Sequence, residues 1–283
     1  SVSSKDSPLM YFIKACSVLG VVTAASAVFL CLPLQAHAQV QVSGDAAVVE
    51  NQTKFFEQFR FHMNAAKIAG GDQAFQWDAD IGGDVDLIDY GQGRVNFLAN
   101  METILGEEFR AFDPNQNNYT LDGFASIRLG TSEVAATFHH VSRHFSDRPK
   151  SRPIDWNMIG LQFLHRQDVG RVRTDFGARG FVTVQRSFVD YENEVGGHGR
   201  VRFPLTDRTA LLVHGEVVSV GVDGSIFGRQ RLFGGRLESG VRFTGDGLAL
   251  ELFTALERRI DADAIRRETR TWVLVGFRLL SLD

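Results

Sequence analysis

The sequence predicts an all-β fold, a transmembrane antiparallel up-and-down β-barrel of about twelve strands with short turns at one end and longer loops at the other. Three observations predict it. Apolar residues recur at every second position from about residue 53 onward, the period of a strand with two different faces. The alternating segments run near ten residues, the length that crosses a bilayer at a tilt. The connections between them alternate short and long.

The chain starts with Lys5 and Lys14, then a run of apolar and small residues over 15–32, then Ala36-His37-Ala38. A positive flank, a greasy core and Ala-x-Ala read as a secretory signal peptide over residues 1–38, cleaved after Ala38. The run is nearly long enough to be a membrane-spanning anchor. The placement of Ala-x-Ala favours the signal peptide. Cys31 follows Val28-Phe29-Leu30, which lacks the small residues of a lipidation site. Both cysteines, Cys16 and Cys31, lie in the segment expected to be removed, so neither disulfides nor thiolate metal sites are expected of the mature barrel. Residues 39–52 read as a periplasmic N-terminal tail or plug, and 53–283 as the barrel.

Among 283 residues the formal net charge is −4, and no stretch is basic enough for nucleic acid, so no nucleic-acid partner is expected. A mean hydropathy of −0.08 suits a soluble protein and equally a barrel that alternates between lipid and lumen.

Twelve alternating segments are expected near 55–66, 75–89, 92–104, 118–129, 131–145, 155–166, 170–185, 195–204, 208–219, 232–243, 246–258 and 271–282. Phe75, Trp77, Ala79 and Ile81 alternate with Gln76, Asp78 and Asp80. Val95, Phe97, Ala99 and Met101 alternate with Arg94, Asn96 and Asn100. Leu248, Leu250, Leu252 and Leu256 oppose Glu251 and Glu257. Short links such as Gly130-Thr131 and Leu205-Thr206-Asp207 read as periplasmic turns. The longer stretches near 67–74, 105–117, 146–154, 186–194, 220–231 and 259–270 read as external loops. An even strand number returns both ends to the periplasm. Such a chain resides in the bacterial outer membrane among its lipids, and it depends on the barrel-assembly machinery for insertion. Arginines and carboxylates on the polar faces are too costly for lipid and are expected to fill a narrow lumen as an ion-pair network. The chain ends Leu280-Ser281-Leu282-Asp283, without the terminal aromatic common in such barrels.

One constellation could carry chemistry. In the fifth segment Val134, Ala136 and Phe138 share a face with His140, Ser142 and His144. The next segment begins Asp155-Trp156-Asn157, and Asn157 shares a face with Ile159, Leu161 and Phe163. Hairpin pairing across the 146–154 loop brings Asn157 toward His140 and Ser142 on the outer wall. A histidine beside a serine can take the hydroxyl proton for acyl transfer, and a third polar group fixes the imidazole. A lipid-facing site suits an acyl ester of phospholipid or lipopolysaccharide. Among headgroups the same residues would be ordinary surface. Asp113-Pro114-Asn115 and Asp261-Ala262-Asp263 offer oxygen ligands for calcium but read as solvated external loops.

His140-Val141-Ser142, then Ser146-Asp147, Ser151-Arg152 and Trp156-Asn157, resemble the active hairpin of the outer-membrane phospholipase A family, twelve-stranded barrels with His-x-Ser followed one loop later by Ser-Arg and Trp-Asn. The resemblance implies Ser142 as nucleophile, His140 as base and Asn157 as the orienting residue. It implies calcium near Asp147 and Ser151, polarising the oxyanion and tied to formation of a homodimer. The sequence departs directly after the serine, where Arg143-His144 stand in place of Asn-Gly, and the loop is three residues longer. Lipid A deacylase barrels also carry His-x-Ser on the outer wall, so phospholipase and lipid A deacylase activities are both implied. Residues 140–147 also resemble a His-x-Ser-x-His-Leu-Gly-Asp pattern in a group of bacterial barrels without a known activity. The alternative to an enzyme is a non-catalytic barrel, a surface protein or narrow channel.

Overall fold

The computed structural model describes residues 53–146 and 152–282. The expected signal peptide and N-terminal tail, and the two expected calcium residues Asp147 and Ser151, lie outside the described residues. The described chain forms β1 (Lys54–Phe55), β2 (Phe59–Ala69), β3 (Trp77–Asp89), β4 (Arg94–Gly106), β5 (Asp113–Leu129), β6 (Ser132–His144) and β7 (Ile154–Val169). It continues with β8 (Val172–Ser187), β9 (Tyr191–Pro204), β10 (Thr209–Val222), β11 (Leu232–Thr244), β12 (Leu248–Asp263) and β13 (Glu268–Ser281). One helical turn, Gly224–Phe227, precedes β11.

Every long strand pairs antiparallel with its neighbours in the chain, and β2 pairs with β13 from His62↔Leu280 to Ala69↔Val273. The twelve long strands therefore close with no free edge, as a membrane-spanning sheet must. The two-residue β1 continues the β2 edge, pairing Lys54 with Asp89 after a kink at Phe56, where φ is 53°.

The faces follow the alternation. Arg94, Asp78, Glu133, Glu216, Glu238, Glu251 and Glu257 are buried in the lumen, while Phe97, Phe138, Leu161, Phe176, Leu252 and Val275 lie exposed on the outer wall. Exposed apolar rings and branched chains on a closed barrel are the surface that lipid solvates, and the architecture is that of a transmembrane β-barrel of the outer-membrane type. Slipping one strand by one residue would carry its charges to the lipid face, at roughly 2–4 kcal/mol for each arginine near the midplane.

The lumen is filled by ion pairs. Arg94 donates to Glu133 at 2.9 and 3.1 Å and to Asp86 at 3.0 Å. Arg179 joins Glu194 and Glu216, and Arg259 joins Glu257 and Asp78. Arg278 chelates Glu238 and reaches Glu251. At the long-connection end Arg229 bridges Asp190 and Asp261, Tyr191 donates to Asp261 at 2.6 Å, and Arg143 donates to the Asp261 carbonyl at 2.6 Å. These contacts draw two connections and the ends of β6, β9 and β12 together across the mouth.

Two expectations change. The external connections are shorter than the alternation predicts: β5 starts at Asp113, β12 runs to Asp263, and only residues 188–190 and 264–267 join β8–β9 and β12–β13. Asp113 and Asp261 are therefore strand residues, buried against arginines, and not parts of solvated loops. The reason is that alternation reports lipid on one side. Above the membrane the outward face is wet and the inward face holds buried polar residues such as Asp113 and Gln116, so a paired strand such as 113–117 carries no apolar period. Phe75 also leaves the alternating set, because it folds inward from the 70–76 connection and packs on Trp272 with ring centroids 5.3 Å apart.

Candidate functional site

Cross-strand pairing arranges the outer wall of β4–β8 in rows. Phe97, Gly123, Phe138, Ile159 and Val182 pair successively from β4 to β8. One row toward the external end lie Ala99, Leu121, His140, Asn157 and Gln185. The next row holds Met101, Tyr119, Ser142, Asp155 and Ser187, and beyond it His144 pairs with Asn117. The polar side chains thus form a ladder on the rim above an apolar belt, where headgroups meet acyl chains.

The local sequence dictates this placement. Val141 and Arg143 alternate with the ladder and point inward, as do Trp156 and Met158 on β7. Val141, Trp156 and Met158 belong to an apolar cluster with Phe181, Tyr191 and Val218 that fills the external part of the lumen. The ladder therefore stands on a packed platform. The adjacent histidines divide: His139 faces inward with Nδ1 2.6 Å from Asp122, and His140 faces outward.

His140 and Asn157 are directly paired, with His140 Nδ1 2.6 Å from Asn157 Oδ1. Asn157 Nδ2 donates to Gln185 Oε1, and Gln185 Nε2 donates to Asp155 Oδ1 at 3.0 Å. The chain has a direction. A carboxylate only accepts, so Asp155 orients the Gln185 amide, which orients the Asn157 amide with its oxygen toward the imidazole. His140 Nδ1 then carries the proton, and its Nε2 keeps the lone pair a general base needs.

Ser142 lies two residues along the same face, and its Oγ is 2.8 Å from Nε2 of His144. Tyr119 holds the His144 ring edge-on at 5.2 Å. Of the expected trio, His140 and Asn157 are in hydrogen-bond contact, while the hydroxyl of Ser142 rests on the histidine at its other side. Arg143, where the resemblance has the residue of an oxyanion loop, is turned inward onto Asp261 and over the Trp156 ring at 5.3 Å. Among the described residues no cluster of three His, Cys, Asp or Glu side chains is placed to hold a metal.

Gln185, Asp155 and His144 were not assigned a role from sequence. Gln185 was hidden by a β-bulge. β8 points Gly180, Val182 and Val184 outward, and the same period would send Gln185 inward. The ladder instead pairs Met158 with Thr183 and Asn157 with Gln185, leaving Val184 as an extra residue. The bulge turns Gln185 outward and Arg186 inward, where Arg186 binds the Asp190 and Tyr191 carbonyls at 3.1 and 2.8 Å. The signal was available, because an arginine in phase with Val182 and Val184 would have faced the membrane rim.

No protein-family model and no curated protein sequence matches the chain. Solved structures do align with it. The outer membrane phospholipase A of Escherichia coli has 11% identity and a TM-score of 0.48, covering 80% of this chain and 97% of that one. A Salmonella typhi outer membrane phospholipase dimer with bound calcium has 10% identity and a TM-score of 0.49, covering 80% and 91%. The translocator domain of an autotransporter from Neisseria meningitidis has 11% identity and a TM-score of 0.37, covering 80% and 88%. At these identities the likeness concerns architecture, which the strand pairing already establishes.

Proposed function

We propose that this outer-membrane barrel is a serine hydrolase of membrane-lipid acyl esters, of phospholipase or lipid A deacylase type, with Ser142 as nucleophile, His140 as base and Asn157 as the orienting residue. The observation that carries the reading is the ladder itself: a serine, two histidines and a carboxylate-anchored amide chain in consecutive register rows on the outer wall. Polar side chains facing lipid are costly, and an unselected rim has no need of a directional chain. The filled lumen weighs against the alternative of a channel.

The step follows from the chemistry. Ser142 Oγ attacks the ester carbonyl carbon while its proton passes to His140 Nε2, and the carbonyl electron pair moves onto oxygen. Collapse of the tetrahedral adduct expels the alcohol, which takes the proton back from His140. Water repeats the sequence on the acyl-enzyme and releases the fatty acid. Asn157 stabilises the imidazolium by accepting from Nδ1. With Arg143 committed inward, His144, whose Nε2 lies 2.8 Å from Ser142 Oγ, would supply the donor to the developing oxyanion, a role that side-chain donors fill elsewhere. Calcium near Asp147 and Ser151, and a homodimer, belong to the same proposal.

The test is release of fatty acid from phospholipid and from lipid A by purified, refolded protein, with calcium and with chelator. Ser142→Ala is expected to lower the rate by about a thousandfold or more, and Asn157→Ala by about tenfold to a hundredfold. Equal rates in wild type and Ser142→Ala, or none in either with calcium present, remove the proposal. Loss on His144→Ala with full retention on His140→Ala would exchange the two histidines' roles.

A further inference from the structure

Far around the barrel from the polar ladder, the external rim of β9–β12 carries two arginines on its outer side. Arg258 continues the outward face of β12 after Leu252, Thr254 and Leu256, and is exposed. Arg231 directly precedes β11 and is exposed two residues above Phe233, whose ring stands out on the same wall. Neutral groups hold both against the barrel. Arg231 Nη1 donates to Ser219 Oγ at 3.0 Å, and Nη2 to Asn193 Oδ1 at 3.1 Å. Arg258 Nε donates to the Phe233 carbonyl at 3.2 Å. Arg258 stands opposite Gly235, so that bond carries its stem past Gly235 and turns the guanidinium toward the rim.

What the two arginines lack is a carboxylate. Lumen arginines are ion paired, as Arg179 is to Glu194 and Arg278 to Glu238, and Arg208 at a short turn pairs with Asp246. Among the described residues neither Arg231 nor Arg258 has such a partner, and Glu192, exposed beside Asn193, forms no ion pair with either. A cation on a lipid-facing wall is costly, and hydrocarbon offers it nothing in return. At the rim the anion within reach is the phosphate of a headgroup. The planar fork of arginine takes two phosphate oxygens at once, which a lysine ammonium does not. Arg231 has Nε left to donate, and Arg258 has both terminal amino groups.

We propose that Arg231 and Arg258 clasp the phosphates of one lipopolysaccharide molecule at its lipid A base, on either side of the Phe233 ring. The site is independent of the hydrolase reading, because it shares no residue with the ladder on β4–β8. Spacing selects the occupant. Arg231 lies four residues before Gly235, the partner of Arg258, about 13 Å along β11. The side chains also lean apart, Arg231 toward β9 and β10, and Arg258 from β12 toward β11. A headgroup with one phosphate satisfies one of them. A diphosphorylated headgroup satisfies both, with its acyl chains lying down the apolar wall of Leu237 and Leu256.

The experiment titrates diphosphoryl lipid A onto full-length Ser142→Ala protein in detergent micelles and counts bound lipid by native mass spectrometry. The Ser142→Ala background keeps ester hydrolysis from depleting the probe. Diphosphoryl lipid A is expected to bind about tenfold more tightly than monophosphoryl lipid A or phosphatidylglycerol. Arg231→Gln and Arg258→Gln are each expected to weaken it about tenfold, the loss of one hydrogen-bonded phosphate contact to a charged group. Arg258→Lys, which keeps the charge and loses the fork, is expected to fall between. Arg171→Gln, at the β7–β8 turn, is expected to change nothing, and heat-modifiable gel mobility verifies folding of each variant. Equal binding by the parent protein and the Arg231→Gln, Arg258→Gln double variant overturns the proposal. So does equal affinity for the diphosphoryl and monophosphoryl lipids, a comparison that needs no variant at the site. Phosphatidylglycerol binding as tightly as diphosphoryl lipid A would give the site to a glycerolipid phosphate and overturn the choice of occupant.

Discussion

Replacement of Glu238 by leucine tests whether the lumen is held together as an ion-paired solid. Glu238 is fully buried and accepts four hydrogen bonds, from Arg278 at 2.9 and 2.9 Å and from Arg236 at 3.2 and 3.0 Å. At roughly 1.5–3 kcal/mol for each bond to a charged group, a simple sum would exceed the stability of many domains. The sum is an upper bound, because both arginines keep a second carboxylate, Arg278 on Glu251 and Arg236 on Glu257. The relevant scale is the removal of one member of a buried ion pair, about 3–5 kcal/mol, and the shared partners place Glu238→Leu near 3 kcal/mol. Glu238→Gln keeps the shape and loses the charge, so it is expected to cost less. Arg278→Met added to Glu238→Leu removes the stranded cation while Glu251 retains Arg200 and Arg242, and is expected to recover part of the loss. Equilibrium unfolding in lipid vesicles, followed by tryptophan fluorescence and including Arg278→Met alone, gives the four values. A cost below about 1 kcal/mol for Glu238→Leu, or a double variant worse than the sum of the singles, refutes the reasoning.

Gln185→Leu removes the link between Asp155 and Asn157, and is expected to lower ester hydrolysis about tenfold, the effect of losing one anchoring hydrogen bond, while the barrel still folds. The check is hydrolysis beside heat-modifiable mobility; unchanged activity in folded protein would dissociate the amide chain from the chemistry. Burial alone would raise the Asp72 carboxyl in the 70–76 connection, but hydrogen bonds from Arg270 and the Ala74 amide outweigh it and hold it below its ordinary value. The clamp of this connection onto β13 is therefore complete above the ordinary carboxylate range and is lost as pH falls below it; a carbon-13 titration midpoint at or above about 3.9 would contradict this. Planar-bilayer recordings are expected to give no steady conductance, since the ion pairs of Arg94, Arg179, Arg259 and Arg278 line the interior and Arg143 of β6 reaches across the mouth to Asp261 of β12, and stepwise openings in the wild type would oppose a filled interior.

Much of the wall was legible because the bilayer enforces it. Wherever lipid bathes one side, a charge such as Glu251 or Arg94 betrays the inward face, and its apolar neighbours betray the outward one. This logic placed His140, Ser142 and Asn157 outside, and hairpin pairing put Asn157 opposite His140. It failed where its cause was missing. Residues 113–117 stand above the membrane with water outside and buried polar groups inside, so their strand pairing left no period. Gln185 was lost to a single unpaired residue, and the preference of Ser142 for His144 depends on side-chain torsions that spacing alone does not define. Asp155 shares the face of Asn157, but its part emerges only through Gln185, which belongs to the next hairpin.

The bulge at Val184 has a consequence for how such a wall changes over time. A strand stores one bit at each position, inside or outside, and every residue downstream inherits it. Adding one codon inverts that bit for the rest of the strand unless a bulge absorbs it: here Val184 takes up the extra position, and Gln185 and Arg186 keep the faces they would have without it. Relatives of this barrel should therefore be compared by face as well as by column. A glutamine aligned with Gln185 in a strand that keeps the extra residue but not the bulge would point into the lumen, and could not steady an asparagine on the outer wall.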